Sequence, residues 1–240
     1  MADHPLLAAA YDTVLAPAEA RGLAAQRHGL LGAARGRVLE VGAGTGLNLA
    51  HYHTGSVTSV VVSEPDGAMR ARLRARLARR AGRAEVAPLP VEVISRGVPG
   101  IGYPERSFDT VVCTLVLCTL EDLAGGLTEL RRVVRDDGQL LFLEHVLGRP
   151  VLARAQRLVA PAWARLAGGC RLDRDAVAAI REAGFVVTDC ERLAPLGPMS
   201  AGAMVRGRAM VRGGGAGSGR GGGSGRADGS APLGIIGQDG

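Results

Sequence analysis

Along the chain, short runs of β-branched and other apolar residues alternate with longer stretches in which apolar residues recur every three or four positions. The runs with strand character are Val38 to Val41, Val57 to Ser63, Val91 to Ser95, Thr110 to Cys113, Gln139 to Leu143, Phe185 to Thr188 and Ala201 to Val211. Several are apolar at consecutive positions, the pattern of strands covered on both faces. Between them the helical period returns. Pro5 to Ala34 reads as two short helices, with Pro17 opening the second. A helix beginning near Thr45 to Leu47 fades by Tyr52, and Gly67 to Arg83 carries Met69, Leu73 and Leu77 on one stripe with arginines around the rest. Leu123 to Arg135 ends at Asp136-Asp137-Gly138, Val151 to Ala167 is helical, and Asp173 caps a last helix that stops at Gly184. This alternation predicts an α/β domain, for which 240 residues with 47% hydrophobic content are sufficient.

The turn after the first strand has its own chemistry. In VLEVGAGTG, Val38 to Gly46, the strand runs directly into Gly42, Gly44 and Gly46. Glycines there allow positive φ and let a ligand approach without meeting a Cβ. The spacing is not the dinucleotide fingerprint, because Leu47 stands where G-x-G-x-x-G requires its third glycine. The pattern is E-x-G-x-G-x-G, with the acid Glu40 inside the strand end.

Ligands of open α/β sheets bind at the carboxyl ends of the strands. Glu64 closes the second strand and is followed by Pro65 and Asp66. Asp66 fills the helix N-cap, which leaves Glu64 free to accept the two hydroxyls of a ribose. The fourth strand delivers Thr114, Leu115 and Leu117 to the same edge, and the fifth delivers Glu144 and His145. His145, titratable near neutrality, has two readings here: a base assisted by Glu144, or a histidine bonded to the backbone that shapes the pocket. Trp163 likewise reads as acceptor wall or as core.

The formal charge of +6 raises the question of nucleic acid. All the basic residues are arginines, without a single lysine, and the aromatic fraction is 3%, so stacking platforms for bases are lacking. No nucleic-acid partner is expected. The arginine-rich helix Gly67 to Arg83 allows at most peripheral contact with an anionic membrane, a solvated face being the simpler reading. No apolar run reaches the roughly 18 residues of a membrane span, and MADHPLLAAAYD does not read as a signal peptide. Cys113, Cys118, Cys170 and Cys190 show no C-x-x-C spacing, so no metal site and no disulfide framework is expected, and the cytoplasm is the expected compartment. His51 and His53, two apart, make a poor metal pair on a helix.

Three units are expected: a helical lid or cap over residues 1–35, a main domain over 36–211, and a disordered Gly/Arg-rich tail over 212–240.

The order of motifs resembles class I S-adenosylmethionine (SAM)-dependent methyltransferases, through VLEVGAGTG, the acid Glu64, SFDTVV and LLFLEH. More narrowly, VVCTLVLCTL, FLEHV and PAW…GGCRLDRD, in that order, resemble the methyltransferase-like family whose animal members are thiol S-methyltransferases. The resemblance implies a Rossmann-like seven-stranded sheet of order 3-2-1-4-5-7-6, the last strand antiparallel, with helices on both faces. It implies that Glu40, Gly42, Ala43, Gly44 and Gly46 hold the methionine part of SAM and that Glu64 holds the ribose. Gly97 and Val98 fall where many relatives place an acid against the adenine amino group; here that contact would pass to backbone and apolar packing. The animal members carry a hydrophobic N-terminal anchor; no comparable segment is read here, so their membrane residence is not expected to transfer.

Three function classes follow. The first is a methyltransferase acting on a small hydrophobic thiol. The second is an O-, N- or C-methyltransferase of quinone or lipid type, and the third a non-catalytic SAM-binding protein. The sequence does not give an oligomeric state.

Overall fold

The computed structural model describes residues 3–82, 89–166, 168–194, 196 and 203–211. A seven-stranded sheet has the order β3-β2-β1-β4-β5-β7-β6. Its strands are β1 (Gly36–Val41), β2 (Val57–Ser63), β3 (Val91–Ile94), β4 (Phe108–Thr114), β5 (Val134–Val146), β6 (Phe185–Arg192) and β7 (Ala203–Val211). β1 is central, with β2 and β4 parallel on either side, so that Glu40 pairs with both Val62 and Val112. β7 runs antiparallel between β5 and β6.

The pleat sends alternate residues to opposite faces. Leu39, Val111, Leu140 and Phe142 join one core with Leu127, Leu130 and Ile180, from α4 (Leu123–Val133) and α6 (Ala176–Glu182). Val38, Val112, Leu141 and Leu143 join the other with Leu30, Leu31 and Leu73, from α2 (Ala24–Leu31) and α3 (Gly67–Ala81). Both faces being covered is why these strands read as unbroken apolar runs. Truncating one of these fully buried leucines to alanine would cost about 2–5 kcal/mol.

The helical boundaries show where local signals were outweighed. Pro17 does not open a second helix. It lies in the last turn of α1 (Pro5–Ala18), and the chain then passes through a wide helical turn, Glu19–Leu23, with Gly22 at φ +127°. Burial of Leu15 and Ala18 on either side of the proline offsets the backbone bond it cannot donate. The glycine loop leads into a single tight turn, Leu47–Ala50, not a full helix. The cap of α6 is Asp175, not Asp173: Asp175 accepts from the Ala178 amide at 2.9 Å, in a register fixed by burial of Ala176 and Ile180. Asp66 caps α3 through Met69 N at 2.9 Å, as its position suggested. The remaining helix is α5 (Pro150–Leu166). Arg83, residues 201–202 and the tail 212–240 lie outside the described residues. Among the described residues no helix is long and apolar enough to cross a membrane.

Candidate active site

The glycine loop closes one side of a cavity of about 1110 Å³ at the carboxyl edge of the sheet. Gly42 takes φ +61°, and a Cβ there would overlap the Val116 side chain of the loop after β4. Gly44, at φ +56°, would direct its Cβ toward the Tyr11 ring, 3.7 Å from Cε1. Glu64 fixes this loop: its Oε2 accepts from Gly44 N at 2.7 Å and its Oε1 from Asp66 N at 2.9 Å. Burial raises the Glu64 carboxyl, and those two amides draw it back. Each carboxylate oxygen keeps a further acceptor position, and the side chain stands on the cavity wall.

Of the residues predicted from sequence, Gly42, Gly44, Glu64, Pro65, Gly97, Val98, Leu115 and His145 line this one cavity. Glu40, Ala43, Gly46, Thr114 and Glu144 are not on its wall. Glu40 is 1% exposed; it accepts from Asn48 Nδ2 at 3.0 Å and from the Tyr52 hydroxyl at 2.7 Å. Burial pushes its carboxyl up to about 7, against the pull of those two donors. Thr114 Oγ1 is taken by Asn48 Nδ2 at 2.9 Å and Arg27 Nη1 at 3.3 Å, and Arg27 is held in turn by Glu19 at 3.0 Å. Glu40, Thr114, Asn48, Tyr52 and Arg27 therefore form a buried polar frame beneath the glycine loop. Leu115 marks the edge of that frame with a non-glycine φ of +56°, a strained backbone of the kind that gathers at ligand sites.

Glu144 acts from behind the wall. Its Oε1 accepts from Val116 N and Leu117 N, both at 2.9 Å, and its Oε2 from Cys118 N at 3.4 Å. This fully buried carboxylate ties the loop after β4 to the end of β5. Its burial raises the carboxyl to about 7 although three amides favour the charged form.

On the cavity wall three side chains converge that sequence spacing had kept apart. Cys118 Sγ and Cys170 Sγ are 3.4 Å apart, and His145 Nδ1 lies 3.9 Å from the first and 3.6 Å from the second. All three line the cavity and are buried, and Trp163 packs against the cluster that the two cysteines form with Leu172. The Cys118 thiol and then the His145 imidazole draw the Cys170 thiol down to about 5, while that same contact and burial push Cys118 up. Trp163 is thus wall and packing at once. Arg174, also on the cavity wall, donates to the carbonyls of Leu117 and Leu120.

α1 contributes Leu7, Tyr11, Val14, Leu15 and Ala18 to the cavity wall. Asp12 accepts from Thr45 Oγ1 at 2.5 Å and pairs with Arg76 at 2.6 Å, while Asp66 accepts from His4 N at 2.8 Å. Leu7 reaches the turn after α5, where a Cβ on Gly168 would meet it at 3.0 Å. Tyr11, on the cavity wall, is pushed up to about 12 by burial. Glu121 and Asp122 also stand on the wall where α4 adjoins Val98, although Asp122 Oδ1 is occupied by Gly125 N at 2.8 Å. His51 and His53 both approach His28, with ring centroids 6.0 and 5.4 Å away.

The reading of the sequence missed Arg27, Asn48, Tyr52, Arg174 and the meeting of Cys118, Cys170 and His145. A signal existed for two of them: an acid buried in a central strand needs donors, and Asn48 and Tyr52 follow Glu40 closely. Arg27 and the two cysteines carried none, because their partners are distant in sequence.

The residues present fit SAM. Gly42 and Gly44 stand on the cavity wall at positive φ, a carboxylate beside them suits a ribose, and the thiols of Cys118 and Cys170 line the same cavity.

A family model described as "Methyltransferase domain" matches residues 39–142. Thiol S-methyltransferase TMT1B of Homo sapiens is 34% identical over 197 residues, covering 79% of this chain and 77% of the relative. Thiol S-methyltransferase TMT1A of Homo sapiens is 31% identical over 150 residues, covering 62% and 59%. Among solved structures, a SAM-dependent methyltransferase from Thermotoga maritima superposes with a TM-score of 0.61 at 18% identity, over 83% of this chain and 93% of that one. A geranyl diphosphate methyltransferase in complex with SAM gives 0.61 at 14% identity, over 79% and 84%. The chain belongs to the class I SAM-dependent methyltransferases, in the methyltransferase-like family that contains these two human relatives, and it is a SAM-dependent methyltransferase.

Proposed function

We propose that the enzyme transfers the methyl group of SAM to a small hydrophobic thiol. The observation that carries this reading is the pair of sulfurs on the cavity wall, Cys118 and Cys170 beside His145 and Trp163, in the same cavity that the glycine loop lines. The relatives named as thiol S-methyltransferases support it.

When bound, SAM supplies a methyl group on a sulfonium, already activated for displacement. The chain's share is to hold, orient and exclude water. Gly42 and Gly44 would cradle the methionine part, Glu64 would accept from the ribose, and Pro65, Gly97, Val98 and Leu115 would enclose the adenosine. Glu40, Ala43, Gly46 and Thr114 are assigned to the support of that cradle. Glu144 is a positioning residue, since both of its oxygens already serve loop amides. His145, with the paired sulfurs, is assigned to the acceptor. A free thiol is only partly ionised at neutral pH, so a group that takes or displaces its proton there raises the fraction able to attack. Residues 1–35 are proposed to act as the cap of the site, supported by the Asp12 and His4 contacts that join α1 to α3 and the glycine loop. Location in the reducing cytoplasm is supported by four free cysteines.

Methyl-labelled SAM incubated with a panel of alkyl thiols, phenols and quinols, read by mass, tests the proposal. Labelled thioether as the dominant product is expected. Labelled quinol or phenol without thioether would move the enzyme to the quinone or lipid class, and no product with any acceptor would favour a binding protein.

A further inference from the structure

The cluster of Cys118, Cys170 and His145 has a geometry that a hydrogen-bonded thiol pair does not require. A tetrahedral Zn²⁺ with Zn–S of about 2.3 Å and Zn–N of about 2.0 Å sets S···S near roughly 3.8 Å and S···N near roughly 3.6 Å. The observed separations are 3.4 Å between the sulfurs and 3.6 and 3.9 Å from the sulfurs to Nδ1. Each lies within about 0.4 Å of the tetrahedral edge lengths. A disulfide, by contrast, needs the sulfurs at about 2.05 Å. Among the described residues this is the one group of three histidine, cysteine or carboxylate side chains whose donor atoms come within 4.8 Å of one another.

The three donors come from separate segments, and the backbone around each is fixed independently of any ion. Cys118 is held by Glu144 through its amide and by Arg171 N, which donates to Cys118 O at 2.9 Å. Cys170 follows Gly168 and Gly169, at φ +60° and +88°, in a turn closed by Gly169 N donating to Ala164 O at 2.8 Å. His145 sits at the end of β5 in register with Met204 of β7. Donors arranged before the ion arrives lower the cost of ordering them on binding.

We propose that Cys118, Cys170 and His145 bind a thiophilic divalent cation, Zn²⁺ in the first instance, with its fourth position open to the cavity. Two thiolates and a neutral imidazole balance the charge of a divalent ion, so the buried site is neutral when filled. Three protein ligands with an open position are the arrangement of reactive rather than structural zinc. The thiol protons leave to solvent as the ion binds. The inference rests on the donor set alone and not on the identity of the acceptor. Under the thiol reading, the acceptor's sulfur would occupy the fourth position and lose its proton there.

The test uses the full chain, stripped with chelator, reduced with a phosphine and titrated with Co²⁺ and then Zn²⁺ in the absence of SAM and acceptor. One equivalent of Co²⁺ is expected to give a sulfur-to-metal charge-transfer band and the visible bands of a tetrahedral ion, both abolished by one equivalent of Zn²⁺. Cys118→Ser, Cys170→Ser and His145→Ala should each weaken Co²⁺ binding by on the order of a hundredfold or more. Cys190→Ser, on an exposed strand, should leave it unchanged. Because a variant can lose its fold, the wild-type chain is also alkylated with and without Zn²⁺ and mapped by mass, with selective protection of Cys118 and Cys170 expected. A Co²⁺ spectrum without sulfur ligation, or equal alkylation of both cysteines with and without Zn²⁺, would overturn the site. Such a failure leaves thiol methylation standing, because labelled thioether is read in a separate assay.

Discussion

The carboxylate of Glu64, at the end of β2, accepts the amide of Gly44 across the turn that leaves β1, at 2.7 Å. The residue assigned to the ribose thus also holds the loop assigned to the methionine part, and one substitution should affect both. Glu64→Ala is expected to weaken SAM binding at least about tenfold and to cost about 1–3 kcal/mol of stability through the two unpaired amides. Calorimetric titration and denaturant unfolding read the two effects separately. Unchanged affinity in a folded variant would remove Glu64 from the site.

Gly42 tests the cradle from the other side. Gly42→Ala places a Cβ into Val116 at a φ of +61°, so both strain and contact oppose it. A loss of about 1–3 kcal/mol is expected, together with weaker SAM binding. Val116→Ala should restore part of the stability of Gly42→Ala by removing the overlap, but not the strain at positive φ. An unfolding series of the two single variants and the double variant checks this.

Glu144→Ala leaves the amides of Val116, Leu117 and Cys118 without their acceptor. A loss of about 2–5 kcal/mol is expected from stranding buried donors. Glu144→Gln keeps one acceptor oxygen and should lose less. If Glu144 acts only by holding the loop, Glu144→Gln should keep the pH profile of kcat unchanged in shape. A shifted profile would instead give Glu144 a share in proton transfer.

Glu40 carries a pH signature. Its folded carboxyl is raised from 4.5 to about 7 by burial, so between those values the folded state binds more protons than the unfolded one. Its contribution to stability is therefore fully present below about 4.5 and is lost as pH rises through about 7. Glu40→Gln removes this dependence. The stability of wild type relative to Glu40→Gln should fall as pH rises from about 5 to about 8, as read by paired unfolding curves. A difference that stays flat over that window would contradict the raised carboxyl.

Much of this fold was legible because its signals are local. The VTSVVVS run is β2 residue for residue, the glycine spacing marks the cradle, and Asp66 caps α3 where its sequence neighbours put it. The order 3-2-1-4-5-7-6 was implied by the resemblance to class I methyltransferases, not by the residues themselves, and it matches the sheet. What stayed hidden depends on contacts between distant segments. Arg27 reaches Thr114 across 87 positions, and Cys170 reaches Cys118 across 52. Spacing rules for cysteines recognise sites built within one loop. A parallel sheet instead gathers the ends of separate strands at one edge, so Cys118 and His145 meet there whatever their separation in sequence. Pro17 and Asp173 failed as local signals for a related reason: burial of their neighbours set the helical register.

The most direct measurement is a single-turnover reaction of the enzyme with trideuteromethyl SAM and one hydrophobic alkyl thiol, quenched and analysed by mass. The account predicts one trideuteromethyl thioether and one S-adenosylhomocysteine per turnover. Donor cleaved without label on the acceptor sulfur, or no donor cleaved in the presence of thiol, would contradict it.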